Sequence, residues 1–143
     1  MRTPFNEGDG TFSPDGRWVA YSSQESGRDE VYVRRFSPSA PSAPSGKWLV
    51  SNGGGVSPHW RRDGKELFYL APDLTVMAVS VTAGASFQVG TPTPLFKISA
   101  SGLTGGYFSV SADGTRFLVE VPERQDLRPP FTVVVNWQAG LKK

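Results

Sequence analysis

Phe12-Ser13-Pro14-Asp15-Gly16-Arg17-Trp18-Val19-Ala20-Tyr21 sets an Asp-Gly pair between two apolar runs, and two weaker copies of it follow downstream. The pair recurs as Asp63-Gly64 and Asp113-Gly114, at offsets of 48 and 50 residues. Three places before each pair stands an aromatic or β-branched residue, Phe12, Trp60 or Val110. After each pair comes an apolar run: Trp18 to Tyr21, Leu67 to Leu70, Phe117 to Val119. Asp and Gly tolerate the positive φ of a type I′ turn, so each copy predicts strand, tight turn, strand. A fixed period of this size marks a solenoid, a propeller or an array, the alternative being three unrelated hairpins in an ordinary β-sandwich.

The 143 residues suffice for one domain with a real core. Aromatics at 12%, an apolar fraction of 38%, 16 glycines and 12 prolines describe an all-β, turn-rich chain. Gly, Pro or Asp interrupts nearly every stretch long enough for an amphipathic helix. The absence of cysteine excludes disulfides, thiolate metal sites and a cysteine nucleophile, and leaves the redox compartment open. Met1-Arg2-Thr3-Pro4 leads directly into polar sequence, and no stretch approaches the ~18 apolar residues of a membrane span. Neither a signal peptide nor a span is therefore expected, and periplasm and cytoplasm both remain open. The net charge is +2, and the basic pairs Arg34-Arg35, Arg61-Arg62 and Lys142-Lys143 are scattered, so nucleic acid is not an expected partner.

In chain order, Thr3-Pro4-Phe5 reads as the tail of a strand and Asn6 to Gly10 as a loop. Strands are expected over Thr11 to Ser13, Arg17 to Ser22, Asp29 to Phe36 and Lys47 to Ser51. The stretch Ser37 to Gly46, small residues and prolines, is expected as a surface loop. The second unit is expected at Ser57 to Arg61, Glu66 to Leu70, Leu74 to Val81 and Phe87 to Ile98, its last strand an outer edge because Pro92 and Pro94 cannot donate to a ladder. The third has Tyr107 to Ser111, Arg116 to Val121 and Phe131 to Trp137, and no fourth strand. Asn52-Gly53-Gly54-Gly55 lacks the Lys-Ser or Lys-Thr of a phosphate loop. Asp29 and Glu30 after Arg28 suggest surface ion pairs worth under about 1 kcal/mol. Trp18, Trp60 and Trp137 are expected in packing, with Trp48 nearer the surface.

The opening stretch, with Gly27-Arg28-Asp29-Glu30-Val31-Tyr32-Val33, resembles the WD40-like propeller repeat of TolB-type proteins. Gly53 to Leu70 and the ending Phe131-Thr132-Val133-Val134-Val135-Asn136-Trp137 resemble the C-terminal part of propellers in bacterial sensor proteins, including those attached to serine/threonine kinases. The resemblance implies blades of four strands arranged around a channel, six or more to a ring, acting as interaction or sensing modules. The chain is then a partial β-propeller of about three blades, roughly residues 6–51, 54–98 and 105–137, the last incomplete. Three blades leave an exposed sheet at each side, so a homodimer closing a six-bladed ring is expected. The first strand of each blade lines the channel in such folds, which makes Thr11, Ser57, Tyr107 and Ser109 candidates for binding a small molecule or a protein there.

His59, the single histidine, stands in register with Thr11 and Ser109. Read conservatively it is a hydrogen-bonded structural residue. Read more sharply, His59 from two chains, joined by Glu7 or Asp9, would form a nitrogen and oxygen site for a divalent metal that activates water. Three functions are thus expected: a binding module, a metal-dependent hydrolase of esters, lactones or phosphoesters, or a fragment of a larger sensor. Asp15, Asp63 and Asp113 are assigned to turns, and no Gly-x-Ser-x-Gly elbow supports a serine triad. Mass measurement in solution is expected to return two chains, and a stable, soluble monomer of 15.5 kDa would overturn the dimer.

Overall fold

Each Asp-Gly turn joins the first two strands of its own antiparallel sheet in the computed structural model, which describes residues 5–37, 46–84, 86–98, 108–120 and 131–135. Tyr107, Trp137, Thr3-Pro4 and most of the proline-rich stretch lie outside the described residues. The first sheet holds β1 (Glu7–Phe12), β2 (Trp18–Ser23), β3 (Glu30–Arg35) and β4 (Lys47–Leu49) in that order. The second is built from β5 (Val56–Trp60), β6 (Glu66–Leu70), β7 (Thr75–Ala83), β8 (Phe87–Val89) and β9 (Thr93–Lys97). The third has β10 (Phe108–Val110), β11 (Arg116–Glu120) and β12 (Phe131–Val135).

The turns are built alike. The amide of Gly16 donates to the Ser13 carbonyl at 2.8 Å, that of Gly64 to Arg61 at 2.9 Å and that of Gly114 to Ser111 at 2.9 Å. Only the glycines have positive φ, at 70°, 69° and 74°, while Asp15, Asp63 and Asp113 do not. These are therefore four-residue turns with glycine at the fourth position, not the expected type I′. The difference follows from the side chain: each aspartate accepts the amide two residues on, Arg17 at 3.1 Å, Lys65 at 3.0 Å and Thr115 at 3.1 Å. An Asx turn of that kind needs no positive φ at the aspartate.

β6 is buried on both faces, and its alternation sorts the core. Leu67 and Tyr69 join Trp18, Ala20, Val31, Val33, Val79 and Val81 between the first and second sheets. Phe68 and Leu70 join Val76, Ala78, Phe108, Phe117 and Val119 between the second and third. The expected fourth strand from Phe87 to Ile98 is in fact two. β9 pairs with the first part of β7, whereas β8 pairs with its far end, Val81 opposite Val89. Gly90 and the prolines that follow break the run, and the hairpin of β7 and β8 reaches back over the first sheet. There Phe87, 3% exposed, lies 4.8 Å from Trp18 and 5.4 Å from Trp48. Trp48 is accordingly half-buried against this cluster.

Glu30 corrects a second expectation, being 2% exposed rather than a surface group. Its carboxylate takes Arg28 Nε at 2.6 Å, the Gly54 amide at 3.0 Å and the Ser51 hydroxyl. A buried carboxylate is tolerable because each oxygen has a donor, Arg28 from the turn before β3 on one, and Ser51 and Gly54 from the segment crossing to the second sheet on the other. Removing the Phe87 ring from the aromatic cluster empties space that the β8 hairpin cannot refill. Phe87→Ala should cost about 3–5 kcal/mol in urea unfolding followed by tryptophan fluorescence; a loss indistinguishable from that of an exposed site would show the hairpin to be dispensable.

Candidate functional site

The first strands of the three sheets, β1, β5 and β10, lie next to one another, with β5 against β1 on one side and β10 on the other. Each of the first two carries a register break, between Gly8 and Thr11 and between Val56 and His59. At those breaks Asp9 and Ser57 take φ of 54° and 53°, left-handed values uncommon outside glycine. They stand at the same offset as Asp15 and Asp63, so the bulge belongs to the repeat. Glu7 to Gly10 of the expected loop is instead strand, so Glu7 and Asp9 sit within β1.

The bulges bring the two sheets into contact through one carboxylate. Asp9 Oδ2 accepts the Ser57 amide of the next sheet at 3.3 Å and lies 3.4 Å from Ser22 Oγ, which also donates to the Gly8 carbonyl at 3.0 Å. Asp9 itself is exposed. His59 follows two residues after Ser57 and is half-buried, its ring edge-on to Phe108 with centroids 4.7 Å apart. Burial pushes the imidazole below its ordinary value, against the smaller opposing effects of the Asp9 charge and a hydrogen bond to the Phe108 backbone. The site thus sets an exposed carboxylate near an imidazole whose protonation burial disfavours, where the first strands of the three sheets meet.

The remaining candidates are dispersed. Thr11 is half-buried opposite Ala20, and its carbonyl accepts Trp60 Nε1 at 3.3 Å. Ser57 is buried, while Ser109 is exposed and pairs with Leu118. Glu7 pairs with Ser23 at the outer end of β1, where burial, with the charges of Glu25 and Glu7, pushes the Tyr21 phenol up to about 12. Asp9, Ser57 and His59 are brought together and Glu7 is not shown acting on them. Within one chain, no group of three or more His, Asp or Glu side chains that could hold a metal occurs among the described residues. Sequence reasoning missed Ser22 and the Phe108 backbone, since partners across strands leave no mark at a fixed spacing.

The turn aspartates behave as assigned. Asp15 is held down at about 2, first by the Ser13 hydroxyl, Asp63 at about 2 by the Arg61 guanidinium, and Asp113 at about 2 by the Ser111 hydroxyl.

No family model matches the chain, and no curated protein matches it. Solved structures do. A periplasmic gluconolactonase from Pseudomonas aeruginosa matches with a TM-score of 0.56 and 20% identity, over 80% of this chain and 33% of that one. An oligogalacturonate lyase from Vibrio parahaemolyticus matches with a TM-score of 0.55 and 16% identity, over 83% of this chain and 31% of that one. Both are propeller folds. The protein is all-β and forms part of a propeller, spanning about a third of the length of these structures.

A histidine whose folded pKa lies below its unfolded one contributes stability that is fully present above pH 6.5 and is lost as the pH falls below that value. His59→Gln keeps a donor but no titrating group. It should flatten the pH dependence of unfolding in the window just under pH 6.5, and an imidazole titrating above 6.5 by NMR would contradict the assignment.

Proposed function

We propose that the chain is a binding module of the WD40-like, TolB type, recognising a ligand or a protein segment at the channel face formed by its first strands. The observation that supports this best is the Asp9–Ser57 link. One carboxylate oxygen links adjacent sheets at paired left-handed bulges, on an exposed residue whose charge acts on the half-buried His59. Strained backbone held by its surroundings is a frequent property of recognition sites. An exposed carboxylate near an imidazole whose protonation burial disfavours suits a ligand bearing hydrogen-bond donors or positive charge. In this reading Thr11, Ser57, Ser109 and Tyr107 complete the lining, and a second copy or further blades of a longer chain close the ring.

A hydrolase is the second reading. It is favoured by the propeller enzymes among the structural neighbours, one named a gluconolactonase. On this reading a divalent metal would be shared by His59, Glu7 and Asp9 of two chains.

Metal analysis, lactone hydrolysis and a thermal-shift screen of cationic and hydroxyl-rich small molecules separate the two. The binding module predicts no stoichiometric metal, no hydrolysis, and hits whose stabilisation disappears in Asp9→Asn while the fold is retained. Stoichiometric metal with hydrolysis abolished by His59→Ala would transfer the assignment to the hydrolase, and hits indifferent to Asp9 and His59 would remove the site from the channel face.

A further inference from the structure

A cleft among the described residues lies away from Asp9 and His59, at the turn end of the same strands. It has a volume of about 690 Å³ and runs between the first Asp-Gly turn, Ser13 to Arg17, and the second, Arg62 to Lys65, with the end of β7 as its floor. The two turns touch: a Cβ on Gly64 would sit 3.7 Å from Pro14 Cδ. A shallower cleft of about 450 Å³ continues to the third turn at Ala112 and Asp113, and Arg62 lines both.

The charges in this groove do not cancel. Arg17 is taken by Asp15 at 2.7 Å, and Asp63 is taken by Arg61 at 2.8 Å, both pairs lying within single turns. Arg62 and Lys65 are then left over, both exposed. Neither side chain makes an ion pair or a hydrogen bond among the described residues. The Arg62 backbone is nevertheless fixed, its amide donating to the Ala112 carbonyl at 3.1 Å, and the Lys65 carbonyl accepts the Val81 amide at 2.9 Å. Arg62 and Lys65, the latter also acting on the Asp63 charge, thus stand on anchored backbone beside an apolar lining of Pro14, Val81 and Ala83.

We propose that this groove is a second binding site, which takes an extended acidic segment of a partner protein. An open groove cannot enclose a small molecule as a cofactor pocket does, whereas a chain laid along it contacts successive turns. The cations select carboxylates, Arg62 by a two-pronged hydrogen bond and Lys65 as a point charge. The floor offers apolar contact to alternate side chains of a strand. The cleft lining contains neither an aromatic ring nor an Asn or Gln amide, which disfavours an acidic saccharide. The site is independent of the channel face, so either can fail without the other.

Fluorescence anisotropy with a dye-labelled octapeptide of alternating glutamate and alanine provides the test, run on the intact chain at low salt. Binding is expected, weakening as salt is added. The double variant Arg62→Ala, Lys65→Ala should lose at least about tenfold in affinity, or roughly 1.4 kcal/mol. The variant Lys97→Ala removes an exposed cation at the end of β9, outside the lining of both clefts, and should lose less than about twofold, a shift within the usual independence of distant surface sites. All three side chains are exposed, and circular dichroism confirms that the variants fold. No binding by the folded wild type, or a loss in Lys97→Ala equal to that in the double variant, would overturn the proposal. Tighter binding of a tetrauronate than of the peptide would overturn the choice of partner.

Discussion

A sheet with two apolar faces cannot be left in water on either side, and the second sheet is built that way. Leu67, Phe68, Tyr69 and Leu70 of β6 are between 0% and 2% exposed, so every side chain of that run is spent on packing, alternately toward the first sheet and toward the third. Burying a large apolar side chain contributes about 1.5–3 kcal/mol, and neither flanking sheet offers β6 an alternative partner. The aromatic cluster around Phe87 on one side and the edge-to-face pair of Phe68 and Phe117 at 5.3 Å on the other are consequences of that requirement.

Polar groups hold the ends of this stack. At one end the aspartate of each turn closes its own hairpin and neutralises a nearby cation or hydroxyl, so the turns can crowd together. Gly114 shows how closely: a Cβ there would come within 2.8 Å of Arg61 Cδ and 3.2 Å of Phe68 Cζ. At the other end the buried carboxylate of Glu30 gathers Arg28, Ser51 and Gly54, while the Gly55 amide donates to the Asp29 carbonyl at 2.8 Å. The chain is thereby steered from the last strand of one sheet into the first strand of the next.

The hairpins and their period were legible because turn chemistry and apolar runs are local. Asp-Gly flanked by apolar residues announces a hairpin wherever it stands, and the repeat of Asp9, Ser57 and their register mates was visible from the same offset. The form of the turn was not, since an aspartate that caps an amide two residues on uses the same dipeptide as one with positive φ. Arg28-Asp29-Glu30 looked like a solvated charge run because burial of Glu30 depends on donors some twenty residues away. Phe87 to Ile98 looked like one strand because the choice of partner along β7 leaves no trace in residue type.

By itself, then, the chain's residue order determined that this protein is all-β, where its hairpins fall and that they repeat, because those properties follow from contacts among residues close in sequence. Only the tertiary structure decided which carboxylate is buried, which strand reaches across to a neighbouring sheet, and that Asp9 meets Ser57 and His59 lies against Phe108. Those outcomes depend on which groups the packing of sheets deprives of water. Desolvation is a property of the assembled stack and of no segment within it.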